Sequence, residues 1–246
     1  MSSYMDEIER LASLETFDPR AFSADSKCDQ DTCDFVLSLA VAYNDLKNIA
    51  MALRFLSEVR PRDLSKPTSE IGQHAGLTLH LIRLEAGVIR ELLILIEKDK
   101  NILNSPDFNR LKKKLSKKAR EAWDAVLSIV SERSTKHPLG KLLLFVRNKV
   151  AFHYDPKEVA KGYALVFLQP SSDRIPFVSR GNSMPETRFY FADAAVEKYL
   201  LMASDEATVR EFVSGRSSLF NDVNLALYEI ITKFVNDRGF GWRPIR

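Results

Sequence analysis

The chain has 246 residues, 45% of them apolar, with only 9 Gly and 10 Pro. That length can bury a sizeable core as one large domain or two small ones, and the scarcity of turn formers fits a helix-rich globular protein. Formal net charge is only +3, from 36 basic and 33 acidic residues. The start, Met1 to Glu7, carries early acids and no apolar core, unlike a signal peptide.

In chain order, the first expected element is an amphipathic helix near Tyr4 to Leu14, followed by a polar loop through Asp18-Pro19, Ser23, Asp25 and Ser26. Asp31 or Thr32 is placed to cap a long helix whose apolar positions Phe35, Leu39, Ala42, Leu46, Ile49, Leu53 and Leu56 alternate by four and three. That spacing predicts the seam of a helical bundle or coiled coil, ending near Arg60-Pro61. A second long helix begins after Ser69 and runs to about Lys98. Its main stripe is Leu77, Leu81, Leu84, Val88, Leu92 and Leu95, widened by flanking Leu and Ile residues until it is apolar around most of its circumference. Such a helix belongs at the centre of a bundle or at a dimer interface. It also carries His80, Arg83, Glu85, Arg90 and Glu91, too many charges for a membrane span, so a cytoplasmic protein is expected.

Ser105-Pro106-Asp107 reads as the cap and first turn of a third long helix reaching about Arg133. After a short break at Ser134 to His137 comes an apolar helix from Pro138 to Val146, closed by Arg147-Asn148-Lys149-Val150-Ala151-Phe152-His153-Tyr154-Asp155. Beyond it Lys157 to Lys161 suits the start of a short helix, and Tyr163 to Leu168 suits a strand as well. The runs Ile175 to Ser179 and Thr187 to Phe191 flank a turn-rich segment and read as a small β-hairpin. Helix returns from Ala192 to Ala203 and again from Asp205 to about Asp237, with Gly215 a point of interruption, before an irregular tail. The expected fold is mainly α: an antiparallel helical bundle forming a single domain over 1–246, with a hairpin insertion at about 163–191. No fixed-period repeat is visible.

Cys28 and Cys33 stand alone, without the second Cys or His pair that a four-ligand zinc site needs, and are expected to be unpaired cytosolic thiols. His74 and His80 lie six apart on a helix, on different faces. No metal and no cofactor is assigned. Phosphate-binding glycine loops, a nucleophile elbow and a His-Glu-x-x-His helix are absent from the sequence.

The segment closing the apolar helix is the sharpest feature. A permanently charged planar guanidinium suits a phosphate, and an imidazole titrates near neutrality and serves as acid or base. Arg147 and His153, with the polar Asn148 directly after the arginine, resemble the Arg-x4–6-His motif of HEPN domains, helical bundles that include many metal-independent RNases of toxin and phage-defence systems. The resemblance is close over about nine residues and extends more loosely, as a helical pattern, over the rest. Tyr154 departs from one nuclease branch, which places a tyrosine two positions after the histidine.

The resemblance implies an endoribonuclease in which His153 moves the proton of the 2′-hydroxyl, Arg147 stabilises the phosphoryl charge and Asn148 orients one of them. The products would be a 2′,3′-cyclic phosphate and a 5′-hydroxyl. It equally implies a non-catalytic alternative, a HEPN-like protein binding RNA, nucleotide or a protein partner. On a regular helix six residues separate Arg147 and His153 by roughly 240°, so either the helix frays ahead of Pro156 or two protomers pair their motifs in a homodimer, the arrangement favoured here. An antitoxin protein is a further implied partner.

Positive charge is concentrated in the run Arg110 to Arg120, which holds seven cations and no acid and leaves the remaining chain at −4 (+3 less seven). Lys112, Lys113, Lys114, Lys117 and Lys118 are the candidate RNA-binding residues, with Leu111 and Leu115 anchoring the opposite face. Asp45 is expected to be an ordinary exposed acid.

Overall fold

The computed structural model describes residues 15–26, 28–63, 68–131, 137–151, 155–202 and 206–244. The amphipathic helix expected near Tyr4 to Leu14, and Arg133 at the expected end of the third helix, lie outside the described residues. The fold is mainly helical.

Helix α1 spans Gln30–Glu58. Its cap is Asp29, whose carboxylate accepts from the Thr32 amide at 2.7 Å, rather than Asp31 or Thr32. A cap must keep extended backbone geometry, and Asp29 has it, whereas Asp31 and Thr32 already sit in the first helical turn. Most of the four-three seam is buried as the spacing requires: Phe35, Leu39, Leu46, Ile49 and Leu56 are core residues, while Ala42 and Leu53 are half-buried. Helix α2, Ser69–Lys98, is capped by Thr68, which accepts from the Ile71 amide.

The buried face of α2 differs from the expected stripe. Leu77 is exposed, Leu81, Leu84 and Val88 are half-buried, and the enclosed positions are Glu85, Ala86, Ile89, Arg90, Leu92, Leu93 and Ile96. The apolar residues nearly encircle the helix, so pattern alone could not say which side meets the core.

The expected third helix is two. Helix α3 spans Pro106–Lys114, with Pro106 in the first turn and the Ser105 hydroxyl accepting from the Phe108 amide. Helix α4 spans Lys117–Ser131. Leu115 turns into extended geometry and buries its side chain, while the Ser116 amide and hydroxyl donate to the Glu229 carboxylate at 2.8 and 2.6 Å. The same hydroxyl accepts from the Ala119 amide, opening α4. A tertiary carboxylate 113 residues away therefore holds a break that local propensity does not announce.

Helix α5, Pro138–Val146, continues into a π-helical turn at Arg147–Ala151. Helix α6 spans Pro156–Phe167, so Tyr163 to Phe167 is helical and not a strand. Asp155 caps this helix, and no neighbouring strand among the described residues offers the apolar run a ladder. The hairpin expectation reduces to a loop in which Ser179 and Arg188 exchange two backbone hydrogen bonds at 3.0 Å; helix α7, Tyr190–Met202, begins before the second run can extend. Helix α8, Glu206–Asp237, runs on through Gly215. The tail is not wholly irregular: Arg243–Pro244 (β2) pairs antiparallel with Glu15–Thr16 (β1).

Packing follows from these faces. Helix α8 lies against α4 and α1, α1 against α2, and α2 against α5 and the π-turn, while α6 and α7 pair with each other. Phe35, Phe108 and Trp123 stack at 5.7 and 6.0 Å where α1, α3 and α4 meet. The loop before α7 is pinned to α2 at Gly72 and Gly76. A Cβ on Gly72 would lie 2.1 Å from the Tyr190 ring, and one on Gly76 would lie 1.8 Å from the Arg188 guanidinium. Arg188 also holds Asp193 and Gln73, and the Tyr190 hydroxyl donates to the Ser69 carbonyl.

Urea unfolding checks the two kinds of contact. Leu143→Ala, at a fully enclosed position on α5, should cost about 3 kcal/mol. Ser116→Ala should cost about 1 kcal/mol through the lost cap and the stranded Glu229 contact. An unchanged midpoint in Ser116→Ala would mean that the α3–α4 break is not held by this contact.

Candidate functional site

Helix α5 is short because its two ends are dictated separately. Pro138 supplies a preformed first turn, and Leu142, Leu143 and Val146 bury one face, the helix packing against α2. At Arg147 the backbone widens from α to π geometry and stays so to Ala151. π-turns are uncommon and concentrate at functional sites. From Arg147 to Ala151 each residue advances by fewer degrees than the roughly 100° of a regular helix.

Arg147 emerges from this turn with its side chain about one-third exposed, at 36%. Its Nε donates to Glu91 Oε1 at 2.9 Å and one Nη1 hydrogen to Asn148 Oδ1 at 2.9 Å. Of the five guanidinium N–H donors, three keep no partner among the described residues. Hydrogen bonds at Nε and at Nη1 hold the planar group from two sides and leave Nη2 among the remaining donors, which a phosphate can accept. Asn148 thus orients the arginine through its carbonyl oxygen and keeps its amide N–H groups as donors.

His153 lies outside the described residues, with Phe152 and Tyr154. The residues on either side of that stretch are tied together. Lys149 Nζ donates to Asp155 Oδ2 at 2.6 Å, and Asp155 Oδ1 accepts from the amides of Lys157 and Glu158 at the start of α6. The Lys149 ammonium beside it, with those amides, holds the Asp155 carboxyl below the usual carboxylate range and raises Lys149 in turn. Pro156 takes the first helical position and Asp155 the extended conformation expected before it. Close by, the rings of Phe145 and Tyr199 lie 5.2 Å apart. Burial, a hydrogen bond with Glu158 and the negative charges of Glu158 and Asp155 push the Tyr199 hydroxyl up to about 12. It stays protonated at neutral pH and can donate but not act as a base.

Two residues of this region carried no site role in the sequence reading. Glu91 aligns Arg147 from α2, and its signal was an acid kept inside a heavily apolar helix. Arg90, its neighbour, is 7% exposed, and its Nε and Nη1 have no acceptor among the described residues. Leaving buried guanidinium donors unpaired is costly.

The lysine run lies elsewhere. It spans the end of α3 and the start of α4, both of which rest on α8, whereas the π-turn rests on α2 and α5. Four of its seven cations meet acids: Arg110 with Asp107, Lys112 with Asp124, Lys114 with Asp237, and Lys117 with Glu121. Lys113, Lys118 and Arg120 are exposed and form no ion pair among the described residues. Asp45 is an exposed acid. His74 is taken up by the Leu56 carbonyl at 2.8 Å, and the described residues contain no group of three or more His, Cys, Asp or Glu placed to hold a metal ion. No helix among them is long and apolar enough to cross a membrane.

A second concave surface opens between the end of α1, the first half of α2, the loop after α6 and the start of α7. Its volume is about 1080 Å³, and Leu53, Ile71, Ile82, Phe167, Phe177 and Phe191 line it. Ile175, Met184 and Phe189, on the loop that rims it, are exposed. No protein-family model matches this chain, and neither a curated protein nor a solved structure resembles it closely enough to identify a relative.

Proposed function

We propose that this protein is a metal-independent endoribonuclease of toxin or phage-defence type, built on a HEPN-like bundle and acting as a cytoplasmic homodimer. The observation that carries the reading is Arg147 itself: a guanidinium presented on a π-turn, aligned by Asn148 and Glu91, with donors left for a ligand. In this reading the RNA phosphate accepts from those donors. Charge that develops on the phosphoryl oxygens in the transition state strengthens the same bonds, which is how a preorganised cation lowers a barrier. His153, assigned by the motif, removes the 2′-hydroxyl proton as that oxygen attacks phosphorus. The 5′-oxygen leaves with a proton, giving a 2′,3′-cyclic phosphate and a 5′-hydroxyl. A second protomer's motif would supply the complementary acid or base.

The exposed cations Lys113, Lys118 and Arg120 suit the RNA backbone, and the paired Lys112, Lys114 and Lys117 contribute less, since their charge is already offset. An antitoxin protein remains an implied partner. The apolar groove beside α2 favours a second reading, a non-catalytic HEPN-like protein that binds a partner protein there.

Cleavage of single-stranded RNA in EDTA is the direct test. His153→Ala should abolish it, and Arg147→Lys should reduce it about a hundredfold by removing the planar fork. Glu91→Gln should lower kcat about tenfold while leaving RNA affinity nearly unchanged, because it loosens the aim of Arg147 without removing its charge. Cleavage lost in EDTA and restored by Mg²⁺, or full activity in His153→Ala, would sink the mechanism.

RNA binding should separate the two classes of cation. Replacing Lys113, Lys118 and Arg120 by Glu should flatten the dependence of log K on log salt by roughly 2. Replacing Lys112 and Lys114 should instead lower the urea midpoint, since each loses an intramolecular partner. A salt slope left unchanged by replacing Lys113, Lys118 and Arg120 would show that the run is an ordinary solvated surface.

A further inference from the structure

Away from the motif, the N-terminal segment is fastened to the end of α8 by a buried arginine. The Arg238 side chain is 4% exposed. Its Nη2 donates to the carbonyls of Ser23 and Arg20 and lies 3.4 Å from the Asp25 carboxylate. Its Nη1 donates to Cys33 Sγ at 3.6 Å, and its head lies over the Phe234 ring. Cys33 stands in the first turn of α1, and Cys28 lies just before that helix, where its backbone N–H and C=O both bond to Asp25. The two sulfurs are 3.8 Å apart, and both residues are buried.

Three features distinguish this pair from two inert core thiols. The sulfurs need to close by only about 1.8 Å to reach bonding distance. Cys28 belongs to a turn outside the helix, and the side that must move is therefore a short segment held by two backbone hydrogen bonds. Cys28 also lines a small cleft of about 210 Å³ between α3 and the end of α8, walled by polar Thr32, Asp107, Arg110 and Arg238 and by apolar Leu111 and Phe234. A molecule the size of hydrogen peroxide fits such a cleft, and a bulky disulfide reagent does not.

We propose that Cys28 and Cys33 form a reversible dithiol–disulfide site whose oxidant is a small peroxide. The Cys28 sulfur gives up its proton and attacks one oxygen of a peroxide admitted through the cleft. The O–O bond breaks, Cys28 becomes a sulfenic acid and the departing hydroxide takes a proton to leave as water. The Cys33 sulfur, whose thiol burial pushes up while the Arg238 guanidinium opposes that rise, then gives up its proton and attacks Cys28 Sγ. The S–S bond forms, the S–O bond breaks and a second water leaves. The protein loses two electrons and two protons, and the peroxide is reduced to two waters. Burial pushes Cys28 up to about 12, with the neighbouring Cys33 adding to it, so the reaction quickens as pH rises above neutrality. The bond would clamp the turn at Asp25–Cys28 to α1, next to the carbonyls that Arg238 holds.

The test uses the full chain, whose only two cysteines are these. Folded protein treated with one equivalent of hydrogen peroxide at pH 8 should lose about 2 Da in intact mass and both titratable thiols, remain monomer-sized on non-reducing gels, and recover both thiols in dithiothreitol. Cys33→Ser should stop at a sulfenic acid on Cys28 that a dimedone probe captures, with no 2 Da loss. Should that variant fail to fold, peptide mapping of the wild-type chain for a Cys28–Cys33 link decides alone. Thiols that stay reduced until the chain is unfolded would overturn the proposal. So would a mass gain of about 16 or 32 Da without the link, or a link between two chains.

Discussion

Helix α2 has more apolar surface than any one neighbour can cover, and this constraint organises the rest of the molecule. Helices α1 and α5 and the π-turn pack against α2, its second half holds most of its buried residues, and the start of α7 closes on its first turns. Because the enclosure is nearly complete, charged residues of α2 are drawn inside with the apolar ones: Glu85 and Arg90 are both buried. Glu91, one position further round, falls at the edge of the enclosed surface and stays half-exposed. That edge is where Arg147 arrives. The site is thus a by-product of where α2 stops being covered.

The chain reverses and bends at points where side chains, rather than glycines, supply the hydrogen bonds. Asp29, Thr68, Ser105, Ser116 and Asp155 each accept from a backbone amide at a helix start, satisfying donors that a helix leaves open. Asp155 has a double duty, since its second oxygen takes the Lys149 ammonium and so couples the end of the π-turn to the start of α6. A cap that also neutralises a cation fixes the direction in which the next helix leaves. The stretch holding His153 is spanned by that ion pair.

Electrostatics inside the fold are more local than composition suggests. Four cations of a seven-cation run without an acid meet acids from elsewhere on their own two helices and from the end of α8. What remains available for an outside anion is a subset, Lys113, Lys118 and Arg120 on the surface and Arg147 on the π-turn.

Much of the helical architecture was legible in the residues. The four-three spacing of α1, the Ser105-Pro106 start of α3, the Pro138 start of α5 and the Pro156 boundary are local signals, written by periodicity and by dihedral restriction, and the structure follows them. Arg147 and Asn148 were legible as a pair for the same reason, since neighbours in sequence can meet without help from the fold. What the sequence could not settle needed a partner from far along the chain. The break at Ser116 depends on Glu229, the aim of Arg147 on Glu91, and the neutralisation of Lys112 and Lys114 on Asp124 and Asp237. The approach of Cys28 to Cys33 looks local, yet it is set by Arg238, which gathers the turn before α1 from the other end of the chain. Periodicity and capping act over a few residues and therefore show in a sequence. Charge pairing and the choice of buried face are decided only when packing brings distant side chains within a few ångströms.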